Sequence, residues 1–293
     1  MKILNFGSLN LDYVYSVDHM IMAGETMASE GMNTFCGGKG LNQSIALAKA
    51  GVPVFHAGMI GEEGEILLEA CEKGGVDTSF IRKIPGKSGH TIIQVDKNGQ
   101  NCILLYGGAN RSVTKKFVDE VLERFAADDI LLLQNEVNLV DYMIDKAYAK
   151  KMMIIMNPSP YNNVLDNCDL SKISLLLLNE IEGWQLTGEK EANKILEKLR
   201  CFYPETKVVL TLGQEGSIYQ DKETQHRQGI FKVNAVDTTA AGDTFTGYFI
   251  ASITWGMPIP EGLKLAARAS AIAVSRDGAA DSIPPKAEVL EYE

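Results

Sequence analysis

Short apolar runs alternate along this chain with longer stretches in which apolar residues recur every three or four positions. The runs at 2–6, 52–60, 129–133, 152–156, 175–178 and 207–210 carry few polar interruptions, as strands buried on both faces do. Periodic stretches follow several of them: one covers 44–51 and stops at Gly51, one reaches about Gly74, and others span 115–125, 139–150 and 263–275. Each predicts a helix with one buried face. Strands and helices in alternation predict a parallel sheet between helical layers. Two stretches break that rhythm. Residues 13–35 alternate apolar and polar positions around Gly24-Glu25-Thr26, and 91–95 and 102–106 do so around Asn98-Gly99, a strong hairpin signal. A further hairpin is predicted over 217–233.

Composition changes this picture little. The 293 residues are 45% hydrophobic and 23% charged, which suits one large α/β domain over 1–293. No apolar run reaches the roughly 18 residues of a membrane span, and residues 1–6 read as a strand and not a leader, so a cytoplasmic protein is expected. A formal charge of −10 argues against a nucleic-acid surface but leaves room for one nucleotide in a local cradle. Five scattered cysteines (Cys36, Cys71, Cys102, Cys168, Cys201) predict reduced thiols. His19, His56, His90 and His226 show no metal-ligand spacing and read as structural or surface residues.

Chemistry enters at Asp237-Thr-Thr-Ala-Ala-Gly-Asp-Thr-Phe-Thr-Gly247, which precedes the periodic set Phe245, Phe249, Ile250 and Ile253. It reads as a loop opening a helix, with Ala240, Ala241 and Gly242 leaving N–H groups free for an anion. Asp243 adds a carboxylate to that turn. It can serve the helix dipole alone, or accept a hydroxyl proton beside a phosphoryl group. Asn10 and Asp12, two apart in an extended segment, can offer a donor and an acceptor to sugar hydroxyls or make a turn. Only Gly7 of a dinucleotide fingerprint is present, and Gly38-Lys39-Gly40 lacks the spacing of a phosphate-binding Walker loop. A nicotinamide oxidoreductase is therefore disfavoured. Gly37-Gly38-Lys39-Gly40-Leu41-Asn42 reads as a glycine-rich approach to the first helix. Gln134-Asn135-Glu136 sits where a parallel strand would end, the usual ligand-binding edge. Glu182, three residues after Asn179, fits a helix cap. Gly278 fits the end of the 263–275 helix.

The 237–247 stretch resembles the C-terminal signature of the ribokinase (PfkB) sugar kinases, and Gly37 to Asn42 resembles their N-terminal motif. The resemblance runs through nearly the whole chain in order. It implies a ribokinase-like α/β fold, a twisted and mostly parallel sheet flanked by helices, with a small β-sheet lid from segments about 12–35 and 90–108 that often forms a dimer contact. It implies direct in-line transfer from ATP to a sugar hydroxyl, with Asp243 as base and the amides of Ala240, Ala241 and Gly242 as anion hole. Asn10, Asp12, Gly38, Lys39, Gly40, Asn42 and Glu136 would line the sugar pocket, and Asn110 would orient lid or substrate. Asn179 and Thr211-Leu212-Gly213-Gln214-Glu215-Gly216 would meet the nucleotide. Glu182 would order hydrated Mg2+, while Asp237, Thr239, Ala273, Arg276, Gly278 and Ser282 would hold K+. Glu62 and Asp277 depart from the usual Asp and Lys. D-ribose is the expected substrate, with deoxyribose, another pentose or a nucleoside as alternatives. A fold-retaining sugar sensor without turnover is the alternative of another class.

Overall fold

The computed structural model describes residues 1–292. Its first half runs β1 (Ile3–Phe6), β2 (Asn10–Ser16), β3 (Gly31–Gly37), α1 (Lys39–Lys49), β4 (Val54–Ile60), α2 (Glu65–Lys73), β5 (Asp77–Lys83), β6 (Gly89–Val95), β7 (Asn101–Tyr106) and α3 (Lys115–Leu122). Next come β8 (Ile130–Gln134), α4 (Val140–Ala149), β9 (Met153–Asn157), β10 (Leu175–Asn179), α5 (Glu180–Thr187), α6 (Ala192–Phe202) and β11 (Lys207–Thr211). The chain closes with β12 (Ser217–Gln220), β13 (Gln225–Gln228), α7 (Ala241–Thr254), α8 (Ile259–Val274) and α9 (Lys286–Glu291).

Nine strands form one sheet in the order β13-β12-β11-β10-β9-β8-β1-β4-β5, parallel from β11 through β5. Its apolar runs divide between two helical layers because side chains alternate across a strand. Ile130 and Leu132 of β8 join Leu41 of α1, Phe249 of α7 and Leu263 of α8, whereas Leu131 and Leu133 join Phe117 of α3, Met143 of α4 and Leu199 of α6. From β1 the chain builds outward to β4 and β5, then returns to the other side at β8. The crevice at the carboxyl ends of β1 and β8 is thus the switch point where open α/β sheets bind ligands. A separate four-stranded sheet, β3-β2-β6-β7, carries the segments that broke the sequence rhythm.

Several expectations need correction. The glycine-rich run is not only an approach to α1: the helix begins at Lys39, so Gly40 and Asn42 lie inside it. Gly38, at φ +94°, makes the entry turn. Gly278 does not end α8, which stops at Val274. The hairpin before α7 ends at Gln228, and residues 229–240 form no regular element, because Val236 and Asp237 both donate their N–H groups to Val274 O instead of to a neighbouring strand. Strand β5 and helix α6 were not among the expected elements, although α6 does carry a helical spacing in Ile195, Leu196 and Leu199, the face it buries. β5 is a half-exposed edge strand, so its polar residues mask the alternation.

Gly40 shows why α1 can cross the end of β1. A Cβ there would stand 2.6 Å from the Gly7 carbonyl carbon and 2.7 Å from Gly7 Cα. Gly40→Ala would raise the stability of an exposed helix by about 1 kcal/mol. Here the same change is expected to lower stability by roughly 2 kcal/mol, through overpacking. The urea unfolding midpoint reads the sign directly.

Candidate active site

The carboxyl ends of five adjacent strands supply a polar ridge. Thr211 of β11 pairs with Asn179 of β10, and Asn157 of β9 pairs with Gln134 of β8, in register. Beside them Ser8, just after β1, donates its hydroxyl to Glu136 Oε2, which also accepts the Lys39 N–H at 3.1 Å. Burial raises the Glu136 carboxyl above its ordinary range and the charge of Asp243 adds to this, against the opposing pull of Lys39 and the Ser8 hydroxyl. Burial draws the Lys39 ammonium down, but Asp243, Glu136 and Glu182 outweigh it and hold it above its ordinary value. Three carboxylates therefore share one cation.

Helix α7 opens into this crevice. Ala240 caps it in a left-handed conformation, φ +59°, which turns the chain sharply and carries a steric penalty of about 1 kcal/mol for a residue with a Cβ. Gly242 is exposed, and a Cβ on it would meet open space. Ala241 N–H already donates to Thr238 O at 3.3 Å, while no backbone partner is found for Gly242 N–H among the described residues. Ser270 of α8 pins the turn by donating to Ala241 O at 3.1 Å. Asp243 points inward and is only 7% exposed. Its Oδ2 accepts from Asn42 Nδ2 at 3.0 Å and its Oδ1 from Gln43 Nε2 at 2.9 Å. Asn42 Oδ1 is buried and has no hydrogen-bond partner among the described residues, which suits it to accept from a bound hydroxyl.

The small sheet brings Asn10 and Asp12 to the same crevice. Asn10 Oδ1 accepts from Asn110 Nδ2 at 2.8 Å, so its own amide NH2 is the group left to offer. Asn110 in turn brackets Leu9, accepting from its N–H at 3.1 Å and donating to its carbonyl at 3.3 Å. Asp12 Oδ1 accepts from the Thr91 hydroxyl at 2.5 Å. Burial pushes the Asp12 carboxyl from 3.8 up to about 6; the Thr91 hydrogen bond opposes this and the Glu136 charge adds to it.

The other predicted residues fall into two groups. Asn179 caps α5, accepting from Ile181 and Glu182 N–H at 2.9 Å each, and Glu182 Oε2 returns the bond to Asn179 N–H at 3.0 Å. The capping alternative is therefore real for both residues, leaving Asn179 Nδ2 and Glu182 Oε1 for other partners. Leu212 N–H donates to Gly216 O at 2.8 Å, closing a turn in which Gly213, Gln214 and Glu215 are exposed. Asp237 ties two loops together by accepting from Thr239 N–H at 2.8 Å and Gly278 N–H at 3.1 Å. Ala273 O accepts from Arg276 N–H at 3.1 Å, the Arg276 side chain pairs with Glu288, and Ser282 donates to Ala279 O at 2.8 Å. Sequence reasoning missed Ser8, Gln43, Thr91 and Asn157. Only Gln43 had a signal, its place one residue beyond Asn42.

A helix start with an open N–H, a buried carboxylate beside it and amides with polar atoms to spare fit an enzyme of the phosphotransferase class with an alcohol acceptor. The model of the pfkB family of carbohydrate kinases matches residues 1–286, and the chain belongs to that family. It is 36% identical to a ribokinase of Schizosaccharomyces pombe, over 99% of this chain and 96% of that one. It is 28% identical to a deoxyribokinase of Salmonella typhi, over 100% and 98%. The ribokinase structure from Thermotoga maritima superposes with a TM-score of 0.89 at 32% identity, covering 99% of this chain and 98% of that one. That of Arabidopsis thaliana ribokinase complexed with ribose and ATP gives 0.88 at 28% identity, with the same coverage.

Asp12 yields a pH test with two opposite signs. Its folded pKa lies above its ordinary value, so as pH falls from about 6 towards 4 the folded chain takes up a proton that the unfolded chain does not. That uptake favours folding, while it removes a charged acceptor for hydroxyls. Carbohydrate affinity is expected to weaken below about pH 6, and Asp12→Asn to abolish that dependence. Calorimetric titration at a series of pH values, with the pH dependence of the melting temperature alongside, checks both signs.

Proposed function

We propose that this carbohydrate kinase phosphorylates the 5-hydroxyl of D-ribose with ATP. The observation that carries the reading is the setting of Asp243: a buried carboxylate, held by two amides, next to the open Gly242 amide in the same first turn of α7 and across the crevice from Asn10 and Asp12. The hydroxyl-reading set suits a small polyol. Asn10 offers an NH2, Asp12 and Asn42 offer acceptors, and Glu136 keeps Oε1 free of its Ser8 and Lys39 contacts.

In this mechanism the sugar hydroxyl donates to Asp243, which takes the proton as the oxygen attacks the γ-phosphorus in line. Charge growing on the phosphoryl oxygens meets the N–H groups of Ala240 and Gly242; Ala241 joins only if its long bond to Thr238 gives way. Donors of this kind contribute roughly 3 kcal/mol each to a transition state. Lys39 adds positive charge beside the same oxygens. The nucleotide would lie along Asn179 and the Thr211–Gly216 turn.

Among the described residues no cluster of three His, Cys, Asp or Glu side chains could cage a metal. That fits Mg2+ carried by the nucleotide phosphates and their waters, with Glu182 Oε1 at the edge; the ion would supply charge neutralisation. A K+ ion fits the Asp237 and Gly278 loops, where Thr239, Ala273, Arg276 and Ser282 bring further oxygens. It would act by holding the α7 entry in shape. The reduced thiols and the ATP requirement support a cytoplasmic setting. The outer strand β7 of the small sheet exposes Leu104 and Tyr106 on one face, at 66% and 55%, an apolar pair that fits a homodimer through the lid.

Asp243→Asn is expected to lower kcat for ribose by roughly a thousandfold while ribose and ATP still bind. Turnover assays across ribose, deoxyribose and nucleosides, run beside the variant, check base and substrate together; faster turnover of deoxyribose than of ribose would reassign the sugar. Leu104→Asp is expected to convert a dimer to a monomer in sedimentation velocity, with the fold intact.

A further inference from the structure

Gln43 connects Asp243 to a line of buried polar side chains that the transfer itself does not use. A carboxylate only accepts hydrogen bonds, so the Gln43 NH2 must face Asp243, with Asn157 Oδ1 3.3 Å from the same nitrogen. Its carbonyl then takes a bond from Gln134 Nε2 at 2.7 Å, and the second proton of Gln134 goes to Asn5 Oδ1 at 3.0 Å. The NH2 of Asn5 divides between Gly40 O and Ser44 Oγ, 2.8 Å each. Ser44, having accepted, donates to His56 Nδ1 at 2.8 Å, which leaves the His56 proton on Nε2, 3.3 Å from Gly7 O. Asn5, Gln43, Ser44, His56 and Gln134 are all 0% exposed. Burial pushes the imidazole down to about 4, so it stays neutral at working pH. Turning any one of these amides over would set donor against donor or acceptor against acceptor.

We propose that Gln43 is a positioning residue for the base, its amide locked in one orientation by the line from Gln134 to His56. This rests on Asp243 being the base. With Asn42, Gln43 fixes the plane of the Asp243 carboxylate, one donor on each oxygen. Lys39 and Glu136 are the charged groups facing the same carboxylate, and neither bonds to it directly.

The test uses the full chain with Gln43→Met, which keeps length and removes the donor, beside Gln43→Glu, Gln134→Met and Asp243→Asn. Gln43→Met is expected to lower kcat by roughly tenfold to a hundredfold with the sugar KM changed less than about threefold. The acidic limb of its kcat profile should move to higher pH, because the charged base has lost a donor. Gln43→Glu should not rescue, because a second carboxyl group against Asp243 has to share a proton with it and no longer leaves the base a free acceptor. Gln134→Met should move kcat and the limb the same way by less. An unmoved limb in Gln43→Met, whatever its kcat, would reduce Gln43 to packing and overturn the proposal. If Gln43→Met does not fold, the limb in Gln134→Met decides by the same criterion. Turnover retained in Asp243→Asn would remove the base and the proposal with it, whereas an inactive Asp243→Asn beside an unchanged Gln43→Met would sink the positioning role alone.

Discussion

The site depends on how closely α1 and α7 can lie. Asp243 begins one helix, while Asn42 and Gln43 sit in the first turns of the other, and their hydrogen bonds require the two backbones almost in contact. Gly247 allows this: a Cβ there would stand 3.0 Å from the Ala46 carbonyl carbon and from Leu47 N. Gly40 does the same one layer down, letting α1 rest on the chain leaving β1. Two missing methyl groups thus set the distance over which the carboxylate is gripped. A side chain at either place would separate groups that have no other means of meeting.

Close packing also sets the electrostatics. Asp243, Glu136 and Glu182 share one ammonium, Lys39, in a crevice where burial disfavours every unpaired charge. Amide and hydroxyl donors hold the carboxylates in place of further cations: Asn42 and Gln43 for Asp243, Ser8 and the Lys39 N–H for Glu136, the α5 capping box for Glu182. Neutral donors leave a site that is not cationic overall. Among the described residues Asp12 has only the Thr91 hydroxyl, and its carboxyl is the one pushed up to about 6.

Much of this was legible in the sequence, for identifiable reasons. Apolar runs such as Leu131 to Leu133 announce a strand buried on both faces, and Asp237 to Gly247 announces a helix start with a carboxylate, because both signals are local. What stayed hidden is non-local. Gln43 looks like any helix residue until α7 is seen beside it, some 200 positions away in sequence. Asn5, Gln134 and His56 each sit on separate strands, and His56 read only as a structural histidine. The chemical meaning of Gln134 is its register beside Asn157, which no spacing encodes. Helix boundaries failed where tertiary contacts override propensity. Gly40 lies inside α1 despite its intrinsic weakness there, because the neighbouring backbone admits nothing larger.

The separation of the two sheets bears on how the sugar is read. Asn10 and Asp12 belong to the small sheet, yet β2 starts only four residues after β1 ends, and Asn110 clamps Leu9 from both sides in between. The Asn10 amide is therefore fixed to the same frame as Ser8, Glu136 and α1. Farther along β2 that anchoring fades, and Tyr13 to Tyr15 are only half buried. A rotation of the small sheet would consequently move Asp12 more than Asn10.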